Sequence, residues 1–178
     1  KNISRTITTY CLDDSLGVAR YIFSGTMEEA FAEKYTLLDY KVESKYNRHV
    51  IYALAKISAR QALKISYKTN SPDILFGTNS HVMGPGDDKD SFLQVALMKM
   101  LNGESISMSS GEQMFDVINV YDCAKAYIAI AEKGVNESSY WIGSGSPRHL
   151  KDYVTEMSQI SQYVPIAFGS EPFNDVVL

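Results

Sequence analysis

Gly17-Val18-Ala19-Arg20-Tyr21-Ile22-Phe23-Ser24-Gly25-Thr26 is the stretch that decides the fold. Residues 19–23 are apolar and rich in β-formers, and the run ends on the polar tip Ser24-Gly25-Thr26. This predicts a buried strand that delivers hydroxyl side chains at its C-terminal end. Upstream, Ile3, Ile7, Tyr10, Cys11 and Leu16 recur at helical spacing, and Gly17 suits a helix C-cap. Downstream, residues 50–68 predict a second helix with Val50, Leu54, Ile57 and Ile65 as its apolar stripe. Helix, strand and helix in succession open an α/β pattern.

The pattern continues along the chain. Residues 27–48 have mixed charge and no period, and read as a loop. Strands are expected at 73–76, 106–108, 117–120, 140–142 and 165–168. Helices are expected at 91–101, 122–133 (with Gly134 as its cap) and 150–160, and Gly84-Pro85-Gly86 reads as a turn. Strands alternating with helices predict an α/β fold with a mostly parallel sheet. Lys1 falls inside a helical pattern and Leu178 follows a strand-like run, so the expectation is a piece of a longer protein.

The chain has 178 residues, is 45% hydrophobic and 21% charged, and carries a formal net charge of -4. Such a composition can bury a core. An acidic balance with no Lys/Arg run argues against a nucleic-acid partner. No apolar run reaches a membrane span, and no signal peptide is visible, so no membrane partner is expected. Cys11 and Cys123 make no disulfide framework. Together these features predict a cytoplasmic protein. The three His and two Cys have no ligand spacing, so no metal is expected. Neither a nucleophile elbow nor a phosphate-binding loop is present.

Tyr52-Ala53-Leu54-Ala55-Lys56 places a phenol and an ammonium on one helix face, about half a turn from the Val50/Leu54/Ile57 stripe. An ammonium beside a phenol favours the phenolate and suits it to acid–base work near neutrality. With 12 Tyr in the chain, chance supplies roughly one Tyr-x3-Lys pair, and Tyr121-Lys125 is a second. On its own the pair is a solvated helix face, so its context has to decide.

Five segments supply that context. They are Asn2-Ile3; Gly17 to Thr26, followed by Tyr52 and Lys56; Ser80-His81-Val82-Met83-Gly84-Pro85-Gly86-Asp87; Gly111-Glu112-Gln113 through Asp116 to Ala126; and Tyr140-Trp141-Ile142-Gly143-Ser144-Gly145. In this order the chain resembles the NAD-dependent epimerase/dehydratase branch of the extended short-chain dehydrogenase/reductases. The resemblance implies the C-terminal part of a Rossmann-type doubly wound parallel sheet, with catalytic residues in 1–81. Residues 82–178 would be mainly a smaller α/β substrate-binding region, with some segments returning to the sheet.

The resemblance also implies roles. Tyr52 would be the acid/base, Lys56 its partner and a cofactor ligand, and Thr26 a hydrogen bonder to the reacting oxygen. Asn2 would support a proton-relay water. Glu28, in Thr26-Met27-Glu28, would be the base of a dehydratase. Ser24, Asn79 and Ser80 would join Tyr52 and Lys56 around NAD or NADP, with NAD preferred. His81, Thr26 and Phe115 would meet a nucleotide-sugar substrate. A homodimer would form through the helices at 3–16 and 50–68. Tyr121-Lys125 is read as structural.

The departures are specific. The glycine-rich turn that holds a dinucleotide pyrophosphate is missing. His81 and Met83 stand where relatives carry Asn and Tyr, and Phe115 stands where they carry an Arg that forks onto phosphates. Arg148 is the nearby residue to weigh as a replacement, and the sequence does not favour it. The leading expectation is an epimerase or dehydratase of an activated sugar in the parent protein, with this stretch alone inactive. The alternatives are an NADPH-dependent sugar-nucleotide reductase or a cofactor-free scaffold.

Overall fold

The computed structural model describes residues 2–36, 47–67, 71–161 and 163–172, apart from the side chains of residues 2, 34–36, 47 and 48. In chain order the elements are α1 (Asn2–Ser15), β1 (Arg20–Thr26), α2 (Glu28–Thr36), α3 (Asn47–Ser66), β2 (Asp73–Asn79), β3 (His81–Met83), α4 (Phe92–Leu101), β4 (Ile106–Met108), β5 (Met114–Phe115), β6 (Val117–Asn119), α5 (Val120–Lys133), β7 (Ser139–Ile142), β8 (Arg148–His149), α6 (Leu150–Ser161) and β9 (Ile166–Phe168). They form two compact units. One is Lys1–Ser80 with Tyr121–Ile142, and the other is His81–Val120 with Gly143–Leu178.

The first unit is an α/β layer built on a three-stranded sheet of order β1-β2-β7. Both pairings are parallel, with Phe23 opposite Phe76, Thr26 opposite Asn79, and Asn79 opposite Ile142. Parallel neighbours require a long crossover, and α2 and α3 supply it between β1 and β2. The C-terminal strand ends therefore share one edge, the edge on which open α/β sheets bind ligands. The core gathers Tyr10, Phe23, Ala59, Leu63, Ile74 and Phe76. Burying each large apolar side chain contributes roughly 1.5–3 kcal/mol. An exposed pair such as Lys125–Asp122 contributes at most about 1 kcal/mol, so the core holds this unit together.

Three expectations need correction here. Residues 27–48 are not simply a loop, because they contain all of α2 and the start of α3; residues 37–46 lie outside the described residues. The inner stripe of α3 is Ala53, Ala59 and Leu63, all buried, whereas Leu54 is 43% and Ile65 84% exposed. Small alanines let the helix approach the sheet closely, and the apolar stripe faces away. Lys56 lies on that inner face, its ammonium 5.4 Å from the Phe23 ring centre. Finally, Gly134 does not cap α5 through a left-handed conformation, as Gly17 does for α1 at φ +70°. Its Cβ would instead run into the Leu75 side chain and the Ile130 carbonyl oxygen.

The second unit carries parallel β3-β6 and β4-β9 ladders and an antiparallel β5-β8 ladder. Its core holds Leu93, Met100, Met108, Leu150 and Val154. Among the described residues no helix is long and apolar enough to cross a membrane.

Candidate active site

β1 ends at Thr26, and the next turn begins α2 immediately. The Met27 N–H donates to the Asn79 carbonyl oxygen at 2.9 Å, which carries the chain over the end of β2. The Glu28 N–H donates to Thr26 Oγ1 at 3.4 Å. From α3, the Tyr52 phenol comes near the Thr26 hydroxyl, which favours its phenolate. One turn further on, Lys56 Nζ donates to the Ser24 carbonyl oxygen at 2.7 Å and sits 5.7 Å from the centre of the Tyr52 ring. Tyr52, Lys56, Thr26 and Ser24 thus meet at the C-terminal end of β1. A cleft of about 280 Å³ lined by Arg5, Thr6, Phe23, Tyr52, Lys56 and Ala59 adjoins them.

The electrostatics differ from the expectation. Burial pushes the Tyr52 phenol above its ordinary range. The Thr26 hydroxyl opposes that shift, and the Glu28 and Glu29 carboxylates add to it. A Tyr52 made more acidic by Lys56 is therefore not what the geometry produces, because the ammonium is drawn to the Ser24 carbonyl. Burial pushes Lys56 down, Glu29 opposes this, and Arg60 adds to it.

Ser24 and Asn79 are tied together. Asn79 Nδ2 donates to Ser24 Oγ at 3.3 Å, and the Tyr127 hydroxyl lies 3.0 Å from Ser24 Oγ and 2.9 Å from Asn79 Oδ1. Ser80 donates its N–H to the Ile142 carbonyl oxygen at 2.9 Å. Its buried hydroxyl has no hydrogen-bond partner among the described residues. Glu28 Oε1 lies 3.2 Å from His49 Nδ1. The Asn2 side chain lies outside the described residues.

His81 and Phe115 belong to the second unit, where their rings stack with centres 3.8 Å apart and planes 3° from parallel. Arg148 stands directly opposite Phe115 across the β5-β8 ladder, but its Nη1 donates to Glu156 Oε2 at 2.7 Å. Tyr121 is exposed, and Lys125 Nζ pairs with Asp122 at 2.9 Å. No group of three or more metal-ligating side chains occurs among the described residues.

Three contributors escaped the sequence reading: Tyr127, Glu29 and Arg60. Arg60 had a signal, since it lies one helical turn after Lys56 on the same face. Tyr127 and Glu29 had none, because only the fold brings them to the strand ends.

The geometry brings Tyr52 and Lys56 to the strand ends where open α/β sheets bind ligands, and comparison with known proteins gives the family. The chain belongs to the NAD dependent epimerase/dehydratase family, whose profile matches residues 2–143. It is similar to the CDP-abequose synthase of Salmonella muenchen, with 30% identity over 115 residues, 61% of this chain and 39% of that protein. The CDP-abequose synthase of Salmonella typhimurium is 33% identical over 94 residues, 49% of this chain and 31% of that one. In fold the chain resembles UDP-N-acetylglucosamine 4-epimerase from Methanobrevibacter ruminantium M1, with TM-score 0.80, 23% identity, and coverage of 98% of this chain and 57% of that one. UDP-glucose 4-epimerase from Thermotoga maritima gives TM-score 0.78 at 20% identity, covering 98% of this chain and 58% of that one. The matched region is less than two fifths of the curated relatives' length.

Proposed function

We propose that the protein to which this chain belongs is an NAD(P)-dependent epimerase or dehydratase acting on a sugar carried by a nucleoside diphosphate. One observation carries the reading: Tyr52, near Thr26 and followed one turn later by Lys56, sits at the C-terminal end of a parallel strand. The residues fit the nicotinamide-ribose end of a dinucleotide. Lys56 offers a cation, Tyr52 a hydroxyl, and the buried, unpartnered Ser80 hydroxyl a further polar atom at the adjacent strand end. Nicotinamide, when bound, supplies a hydride acceptor or donor. The named relatives make or act on CDP- or UDP-linked sugars, which makes a nucleotide-linked sugar the substrate class, and NAD is the preferred cofactor.

Tyr52 takes the proton of a sugar hydroxyl as the adjacent carbon gives up its hydrogen with the bonding electrons, leaving a carbonyl. Thr26 holds the reacting oxygen beside the phenol. In the return step Tyr52 gives the proton back. Glu28, two residues from Thr26, is the base for a second proton, and His49 positions its carboxylate. His81 and Phe115 present a stacked pair of rings in the second unit and contact the substrate. Release of NAD(H) from the denatured full-length protein tests the reading. Stoichiometric cofactor supports it, and no cofactor together with no binding of added NAD(P) overturns it.

A second reading is a one-way NADPH-dependent reductase, in which Tyr52 gives its proton to a carbonyl while the cofactor, when bound, would supply hydride. Cofactor lost after each turnover distinguishes the reductase. The exposed apolar side chains Leu12 of α1, Leu16 just after it, and Leu54 and Ile65 of α3 support the proposed homodimer.

A further inference from the structure

We propose that Glu29 and Arg60 form a largely buried clamp that positions Thr26 against Tyr52. The inference rests on the acid–base role proposed for Tyr52, and the residues themselves were not part of that assignment. Glu29 Oε1 accepts the Thr26 backbone N–H at 3.0 Å. Arg60 grips the same carboxylate twice, Nε to Oε2 at 2.7 Å and Nη2 to Oε1 at 3.2 Å. The side chains are only 12% and 11% exposed.

The guanidinium reaches further. Nη2 also donates to Thr78 Oγ1 at 3.0 Å and Nη1 to Ser139 Oγ at 3.4 Å. One cation thus bonds side chains of β2 and β7 and, through Glu29, holds the backbone of β1. It lies over the Phe76 ring at 4.9 Å and the Phe23 ring at 5.5 Å. Gly25 completes the arrangement. A Cβ there would stand 2.5 Å from both Arg60 Nη2 and Glu29 Oε1, so the clamp fills the space that glycine leaves at the strand end.

Stability alone does not account for such a pair. Apolar side chains of similar volume generally hold a fold as well as a buried ion pair does. The pair adds direction, because the carboxylate fixes the backbone of the residue whose hydroxyl meets Tyr52. A displacement of about 1 Å in a reacting group can cost on the order of a hundredfold in rate.

Two double variants of the full-length protein test the clamp. Glu29→Gln/Arg60→Met keeps an oxygen acceptor for the Thr26 N–H, and Glu29→Leu/Arg60→Met removes it; neither leaves a buried unpaired charge. With folding checked by thermal melting, the Leu form is expected to exchange its Thr26 amide hydrogen at least about tenfold faster than the Gln form. Its kcat is expected to be at least about tenfold lower, with KM within about threefold. Equal exchange in the two forms overturns the clamp. Different exchange with equal kcat overturns its bearing on turnover. Failure of the proposed function itself has another signature, full turnover in Tyr52→Phe.

Discussion

Lys56 Nζ donates to the carbonyl oxygen of Ser24 at 2.7 Å, joining the third helix to the strand that ends in Thr26. The bond sets where the ammonium sits. It leaves the cation 5.7 Å from the centre of the Tyr52 ring and 5.4 Å from that of Phe23.

Lys56→Met keeps the apolar stem and removes the charge. The expected outcome is cofactor affinity lowered by about tenfold or more, since a charge-assisted hydrogen bond contributes roughly 1.5–3 kcal/mol. Titration of the full-length protein with NAD(P) by fluorescence or calorimetry measures it. Unchanged affinity would exclude Lys56 from the cofactor site.

The Tyr52 phenol should titrate above the usual tyrosine range in the ligand-free protein. A nearby negative charge disfavours phenolate, so Glu28→Gln should move its pKa down. The Thr26 hydroxyl favours phenolate, so Thr26→Val should move it up. Tyrosine-labelled NMR titration reads both signs, and shifts in the same direction would contradict the described geometry.

Gly134→Ala drives a methyl group into Leu75 and the Ile130 carbonyl oxygen. Overpacking of this kind costs about 1–3 kcal/mol. Urea denaturation should show a lower midpoint with little change in slope.

Ile65 is 84% exposed on the third helix. Ile65→Glu leaves the monomer fold intact and is expected to turn the proposed homodimer into monomers. Sedimentation velocity across a concentration series decides it, and a dimer that survives places the interface elsewhere.

The meeting of Thr26, Tyr52 and Lys56 was legible where chemistry and spacing coincide. The apolar run ending in Thr26, with Tyr52 and Lys56 one turn apart on a helix downstream, marked the strand end at which these side chains gather. The second helix, Glu28–Thr36, was not legible. Among its described side chains Phe31 and Ala32 are the buried ones, and Glu28, Glu29 and Glu33 make it look like a loop.

Its neighbour misled in the opposite sense. Val50, Leu54, Ile57 and Ile65 mark an apolar stripe, yet the sheet side is lined by Ala53, Ala59 and Leu63. A close helix–sheet contact selects small side chains there, and hydrophobicity alone is blind to that. The Glu29–Arg60 pair and the Tyr127–Ser24–Asn79 cluster depend on strands distant in sequence. The same is true of the return of residues 121–142 to the first unit.

The central claim is that Tyr52 moves the proton during hydride transfer. The most direct measurement is turnover of a nucleotide-linked sugar by full-length Tyr52→Phe, with cofactor content and melting temperature compared with the parent. The account predicts kcat lower by about a hundredfold or more, with the fold and bound cofactor retained, because Tyr52 is 40% exposed and only its hydroxyl is removed. A Tyr52→Phe protein that turns over substrate at the parent rate would contradict it.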